Sequence, residues 1–127
     1  MSSNNDPWDT LRDATAMLKA IGNAHRLLTL CALAERPLAV CDLNRRVPIA
    51  QSALSQHLAR LRSAGLVVSQ RDGPKILYAL ADARARRLID ALCAEYRIPR
   101  SVPELPQATD WPAHVDSAAT LAAPPRL

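Results

Sequence analysis

Between residues 50 and 80 the chain changes its hydrophobic period abruptly, from leucines at helical spacing to two short runs of strand-forming residues. That switch limits the fold more than any other feature. From about Ala50 to Ala64 the apolar positions are Leu54, Leu58 and Leu61, which share one side when residues are placed about 100° apart. Gly65 follows as a stop. Leu66 to Gln70 and Lys75 to Leu80 then flank Arg71-Asp72-Gly73-Pro74, where Asp72 and Gly73 supply the turn of a hairpin. Upstream, Trp8, Leu11, Ala14, Thr15, Leu18 and Ile21 form one stripe of a helix that starts near Pro7 or Trp8 and ends at Gly22. Asn23 caps a second helix whose inward face is Leu27, Leu30, Cys31 and Ala34, and Pro37 stops it. A short third helix spans about Cys41 to Val47, closed by Pro48. Asp82 caps the last helix, which runs to about Tyr96 with Ala85, Leu88, Ile89, Leu92 and Tyr96 on one side. Four helices, a hairpin and a final helix make a mainly α chain with a small β-hairpin, the plan of a winged helix-turn-helix.

Composition agrees with a helical core. The chain is 49% hydrophobic but only 3% aromatic, so its interior must be built from Leu, Ile, Val and Ala rather than the aromatic and β-branched stock of a sandwich. A length of 127 residues gives one domain with a modest core. We expect a flexible N-terminus over residues 1–7, one winged helix-turn-helix domain over 8–97, and a disordered Pro-rich tail over 98–127, which holds Pro99, Pro103, Pro106, Pro112, Pro124 and Pro125. No apolar run approaches the roughly 18 to 20 residues that span a bilayer, and no basic start precedes an apolar block. A cytoplasmic chain with no membrane partner is expected. Cys31, Cys41 and Cys93 are odd in number and widely spaced, which suits thiols in a reducing compartment better than a disulfide framework.

Charge is concentrated in the middle. From Arg36 to Lys75 there are seven basic residues against Asp42 and Asp72, a net +5 that exceeds the +4 of the whole chain. Such a segment suits a polyanion, since each phosphate contact releases counterions. Opposite its leucines, the fourth helix carries Ser52, Ser55, Gln56, Ala59 and Ser63, with Gln51 at its start and Arg60 at the edge. No acidic residue interrupts Gln51 to Ser63, whereas ordinary surface helices carry Glu and Lys outward. Short polar side chains let a helix approach base edges, Gln pairs with adenine, and Arg60 reaches guanine or phosphate. Arg71 and Lys75 flank the hairpin tip, where they meet phosphates or a minor groove. His57 lies between the two faces as a packing or hydrogen-bonding residue, and His25, His57 and His114 are too dispersed in sequence to suggest a cluster. The expected partner is therefore double-stranded DNA, bound as an inverted-repeat operator by a homodimer formed through the first and last helices. A Gly-rich phosphate loop, a nucleophile elbow and an acid paired with His are all missing, so an enzyme is not expected.

The segments Leu18–Cys31, Gln51–Val67 and Arg71–Leu80 resemble the ArsR/SmtB family of winged-helix repressors, over about residues 10 to 97. The resemblance implies a dimeric repressor that leaves its operator when an inducer binds or modifies it. Members with a metal site on the third helix read Leu-Cys-Val-Cys-Asp-Leu-Cys, whereas this chain has Leu38-Ala39-Val40-Cys41-Asp42-Leu43-Asn44, one thiolate of three. The last-helix zinc site needs His, and none lies between Asp82 and Ile98. No metal and no cofactor is expected. Closest in pattern are the BigR/SqrR-like sulfide and persulfide sensors, whose first sensing thiol matches Cys31. Their second falls near Arg97, and the thiol available here is Cys93, one turn earlier. That offset of about 5.4 Å is set against a disulfide's Cα separation of about 4.4 to 6.8 Å. A polysulfide bridge tolerates more. Three readings stay open: release by reactive sulfur or oxidants through Cys31 and Cys93, with Cys41 as a rival thiol; an arsenite-type response in which Cys41 joins the partner subunit's cysteines; and a protein-interaction module without sequence-specific DNA binding.

Overall fold

The computed structural model describes residues 6–99. Helix α1 (Pro7–Ile21) starts on a proline, which needs no hydrogen-bond partner there, and the Asp6 carboxylate accepts from the Trp8 N–H at 3.0 Å. Helix α2 (Ala24–Glu35) is capped by the Asn23 side chain, which accepts from the Arg26 N–H at 3.0 Å. Strand β1 (Leu38–Ala39) leads into α3 (Val40–Arg46) and then α4 (Gln51–Ser63). Strands β2 (Val67–Asp72) and β3 (Lys75–Leu80) make the hairpin, and α5 (Ala83–Tyr96) follows, with the Asp82 carboxylate accepting from the Ala85 N–H at 2.9 Å.

The winged helix-turn-helix plan holds, with one addition. Leu38 and Ala39 pair antiparallel with Tyr78 and Leu77, so the sheet has three strands in the order β1-β3-β2. Two residues after a proline carry no periodicity, and their strand character comes only from the exposed edge of β3. The hairpin turn also sits one residue later than expected: Asp72 still pairs with Lys75, leaving Gly73 and Pro74 as the loop, and Gly73 takes a φ of 65° that a Cβ would oppose.

Helix α2 is the centre of the molecule. All six residues from Leu28 to Leu33 are buried, far more than the single inward face expected, because α3, α4, α5 and β3 surround it. Thr29, the one polar residue in that run, returns its hydroxyl to the His25 carbonyl at 2.8 Å. Leu54, Leu58 and Leu61 of α4 pack into this core as their spacing predicts. Helix α4 ends in a Schellman arrangement: Gly65 donates to the Arg62 carbonyl, Leu66 to the Leu61 carbonyl, and Gly65 takes a φ of 78°.

The stripe on α5 divides. Ala85 and Ile89 are buried and Leu92 partly so, but Leu88 and Tyr96 point outward. On α1 the same happens: Ile21 is buried while Trp8, Leu11 and Leu18 are more than half exposed. Among the described residues no helix is long and apolar enough to cross a membrane. Of the expected tail only Ile98 and Pro99 are described, and Ile98 packs against the core; the remainder of 98–127, His114 included, lies outside the described residues, as does most of 1–7.

Candidate nucleic-acid interface and thiol pair

The surface of α4 is built by what lies beneath it. With three leucines anchored in the core, Gln51, Ser52, Ser55, Gln56, Ala59, Arg60 and Ser63 are all exposed, and the acid-free side stands free of the rest of the fold. Its approach angle is set by the turn from α3. There the Asn44 amide donates to the carbonyls of Val47 and Ile49 at 3.0 and 2.8 Å, closing a loop whose backbone Pro48 cannot close by donation. At the other end Arg62 donates to the Ser69 hydroxyl at 3.2 Å, joining α4 to the hairpin. Arg71 and Lys75 are exposed beside the hairpin loop.

Arg26 is a junction that sequence reasoning missed. Its guanidinium donates to the Ala20 carbonyl at 2.6 Å and the Lys19 carbonyl at 3.3 Å, satisfying the end of α1, and reaches His57 Nδ1 of α4 at 3.3 Å. The partners are 6, 7 and 31 positions away, so no local motif announces it. Burial, and then the neighbouring Arg60 cation, lower the pKa of Arg26. Two of the histidines are nonetheless neighbours: the His25 and His57 rings lie 5.7 Å apart. Burial lowers His25, and burial, Arg26 and His25, in that order, lower His57. As neutral His57 faces a guanidinium, its Nδ1 is the acceptor.

Cys31 and Cys93 form a disulfide between α2 and α5, with a Cα separation of 6.5 Å. The one-turn displacement of the second thiol therefore does not prevent a bridge. The buried run of α2 presents Cys31 toward α5, and Cys93 sits on the flank of α5 that faces it. Just beyond, Arg97 adopts a left-handed φ of 51° and Ile98 donates to the Cys93 carbonyl, closing the end of α5. Cys41 is a free, exposed thiol near the start of α3. Among the described residues no three His, Cys, Asp or Glu side chains gather where they could hold a metal.

A helix-turn-helix of α3 and α4, an exposed acid-free face on α4 and a hairpin with Arg71 and Lys75 beside its loop define the fold of winged-helix DNA-binding regulators. Residues 23–69 match the family described as bacterial regulatory protein, arsR family. The chain is 40% identical over 79 residues to the transcriptional activator HlyU of Vibrio cholerae, covering 62% of this chain and 73% of that one. The chain belongs to the arsR family of bacterial transcriptional regulators. Among solved structures, the transcriptional repressor BigR from Xylella fastidiosa superposes with a TM-score of 0.66 at 30% identity, covering 75% of this chain and 94% of BigR. The homodimeric winged helix-turn-helix domain Mb0332 from Mycobacterium bovis superposes with a TM-score of 0.67 at 26% identity, covering 76% and 91%.

Proposed function

We propose that this chain is a homodimeric repressor whose grip on an inverted-repeat operator is controlled by the redox state of Cys31 and Cys93. The observation that carries the reading is the bridge itself: two thiols 62 positions apart brought within bonding distance across α2 and α5. Helix α2 also holds Arg26, which touches the recognition helix through His57. A bond that ties α5 to α2 thus acts on the helix that supports α4. Ser52, Ser55 and Gln56, with Gln51 and Arg60, enter the major groove, and Arg71 and Lys75 take phosphates or the minor groove beside it. The exposed apolar faces of α1 and α5 supply the dimer contact, and the likeness to homodimeric Mb0332 supports a dimer.

The test is an electrophoretic shift on the DNA upstream of the gene, with reduced protein, polysulfide-treated protein and Cys31→Ser and Cys93→Ser variants. Reduced protein should bind, polysulfide should release it, and either variant should bind and resist release. Equal affinity of the reduced and treated wild type would overturn the redox reading. A reporter fused to the bound promoter decides between repression and the activation named for HlyU. The arsenite reading joins Cys41, a free exposed thiol, to cysteines of the partner subunit, and titrating the dimer with arsenite while following thiolate charge-transfer absorption tests it.

A further inference from the structure

The two sulfurs of the bridge have unequal surroundings. Cys31 is 5% exposed within the core face of α2, whereas Cys93 is only partly buried. Both border an open cleft of about 460 Å³, whose other walls are Ala34, Glu35, Asp90, Ala94 and Ile98. The floor is thus a disulfide, the sides are short and apolar, and the charged groups on the lining are carboxylates. Arg46 pairs with Glu35 at 2.6 Å and offsets its charge, and Arg86, which donates to the Ala34 carbonyl at 2.8 Å, is not part of the lining, so the exposed Asp90 carries the lining's negative charge. Asp90 is exposed and lies about 200° around α5 from Leu88, which places the cleft on the flank away from the apolar dimer face.

We propose that this cleft admits the low-molecular-weight thiol that opens the bridge, that attack falls on Sγ of Cys93, and that Asp90 on the lining favours uncharged or cationic thiols over anionic ones. The inference rests on the thiol-control reading above. The incoming thiolate's electron pair forms a bond to Cys93 Sγ as the bond to Cys31 breaks. Cys31 departs as a thiolate and takes a proton from water. A second thiolate attacks the outer sulfur of the mixed disulfide, Cys93 leaves and is protonated, and the two external thiols end as one disulfide. Two electrons pass from them to the protein. Attack on Cys31 instead would fall on the more deeply buried residue of the pair.

The oxidised full chain is mixed with cysteamine, 2-mercaptoethanol or 3-mercaptopropionate at equal thiolate concentration, and each rate is divided by that with a small reference disulfide. The normalised rate should fall from the cationic to the anionic thiol on the order of tenfold, and the span should shrink in high salt. Asp90→Asn, an exposed change that leaves the core intact, should narrow the span to about threefold. Acid quenching followed by alkylation should find the thiol adduct on Cys93 and the alkyl group on Cys31. Equal normalised rates, a span that Asp90→Asn leaves unchanged, or an adduct on Cys31 would each overturn the proposal. No DNA enters this experiment, so its failure leaves redox control of operator binding standing, and loss of that control leaves these rates unaltered.

Discussion

Asn44 and His57 show how much a single side chain can decide in this protein. The Asn44 amide holds two carbonyls of the turn between α3 and α4, and Ala at this position leaves both without that donor. Asn44→Ala should destabilise the fold by about 1 to 3 kcal/mol and weaken operator binding, measured by urea unfolding and DNA titration. His57 works through its charge state. Burial, Arg26 and His25 lower its pKa below 6.5, so the unfolded chain binds a proton that the folded chain resists. Stability from this source is present above about pH 6.5 and declines as the pH falls below it. Thermal melts at pH 7.5 and 5.5 should show that decline, and His57→Asn should flatten it. The neutral tautomer was invisible in the sequence, because both cationic and aromatic neighbours arrive from α2.

At the scale of elements, the helices that form the core and the helices that face outward obey different rules. Helix α4 was legible because its three leucines repeat at 3.6-residue spacing and have nowhere to go but inward. Helices α1 and α5 carry equally clear stripes, yet Trp8, Leu11, Leu18, Leu88 and Tyr96 remain on the surface of one chain. Periodicity reports that a face wants burial and is silent on whether the same chain or a second copy covers it. Replacing Leu18 or Leu88 by Glu should convert the dimer to monomer at micromolar concentration by analytical ultracentrifugation, with the helical signal retained. A monomer would then lose affinity for a two-half-site operator far more than for a single half-site. If both variants stay dimeric, the interface lies on other elements. Strand β1 makes the opposite point, since two residues become a strand only because β3 offers an edge.

For the molecule as a whole, the bridge between α2 and α5 closes a long loop. With a separation of 62 residues, the chain-entropy argument gives the oxidised form about 4 kcal/mol over the reduced form. Parallel denaturant melts with and without reductant should show that difference, and Cys93→Ser should match the reduced wild type under both conditions. A gain near zero would mean that the bridge strains the fold it joins. Under the proposed redox control the bond acts on the helix at the centre of the core, which touches α3, α4, α5 and β3. In that proposal, redox chemistry at one end of α5 reaches α4 through α2, the most buried helix among the described residues.

The linear sequence determined whatever depends on neighbours within a few positions. That includes the capping by Asp6, Asn23 and Asp82, the stops at Gly22, Gly65 and Pro37, the inward leucines of α4 and its acid-free outer side. Tertiary structure alone decided which distant groups meet: Cys31 with Cys93, Arg26 with the end of α1 and with His57, Leu38 with Tyr78. Local rules act through backbone geometry and solvent preference, which each residue carries with it. Long-range pairings depend on how helices cross over a shared core, and there a shift of one turn along α5 was absorbed by the packing of α2 against it.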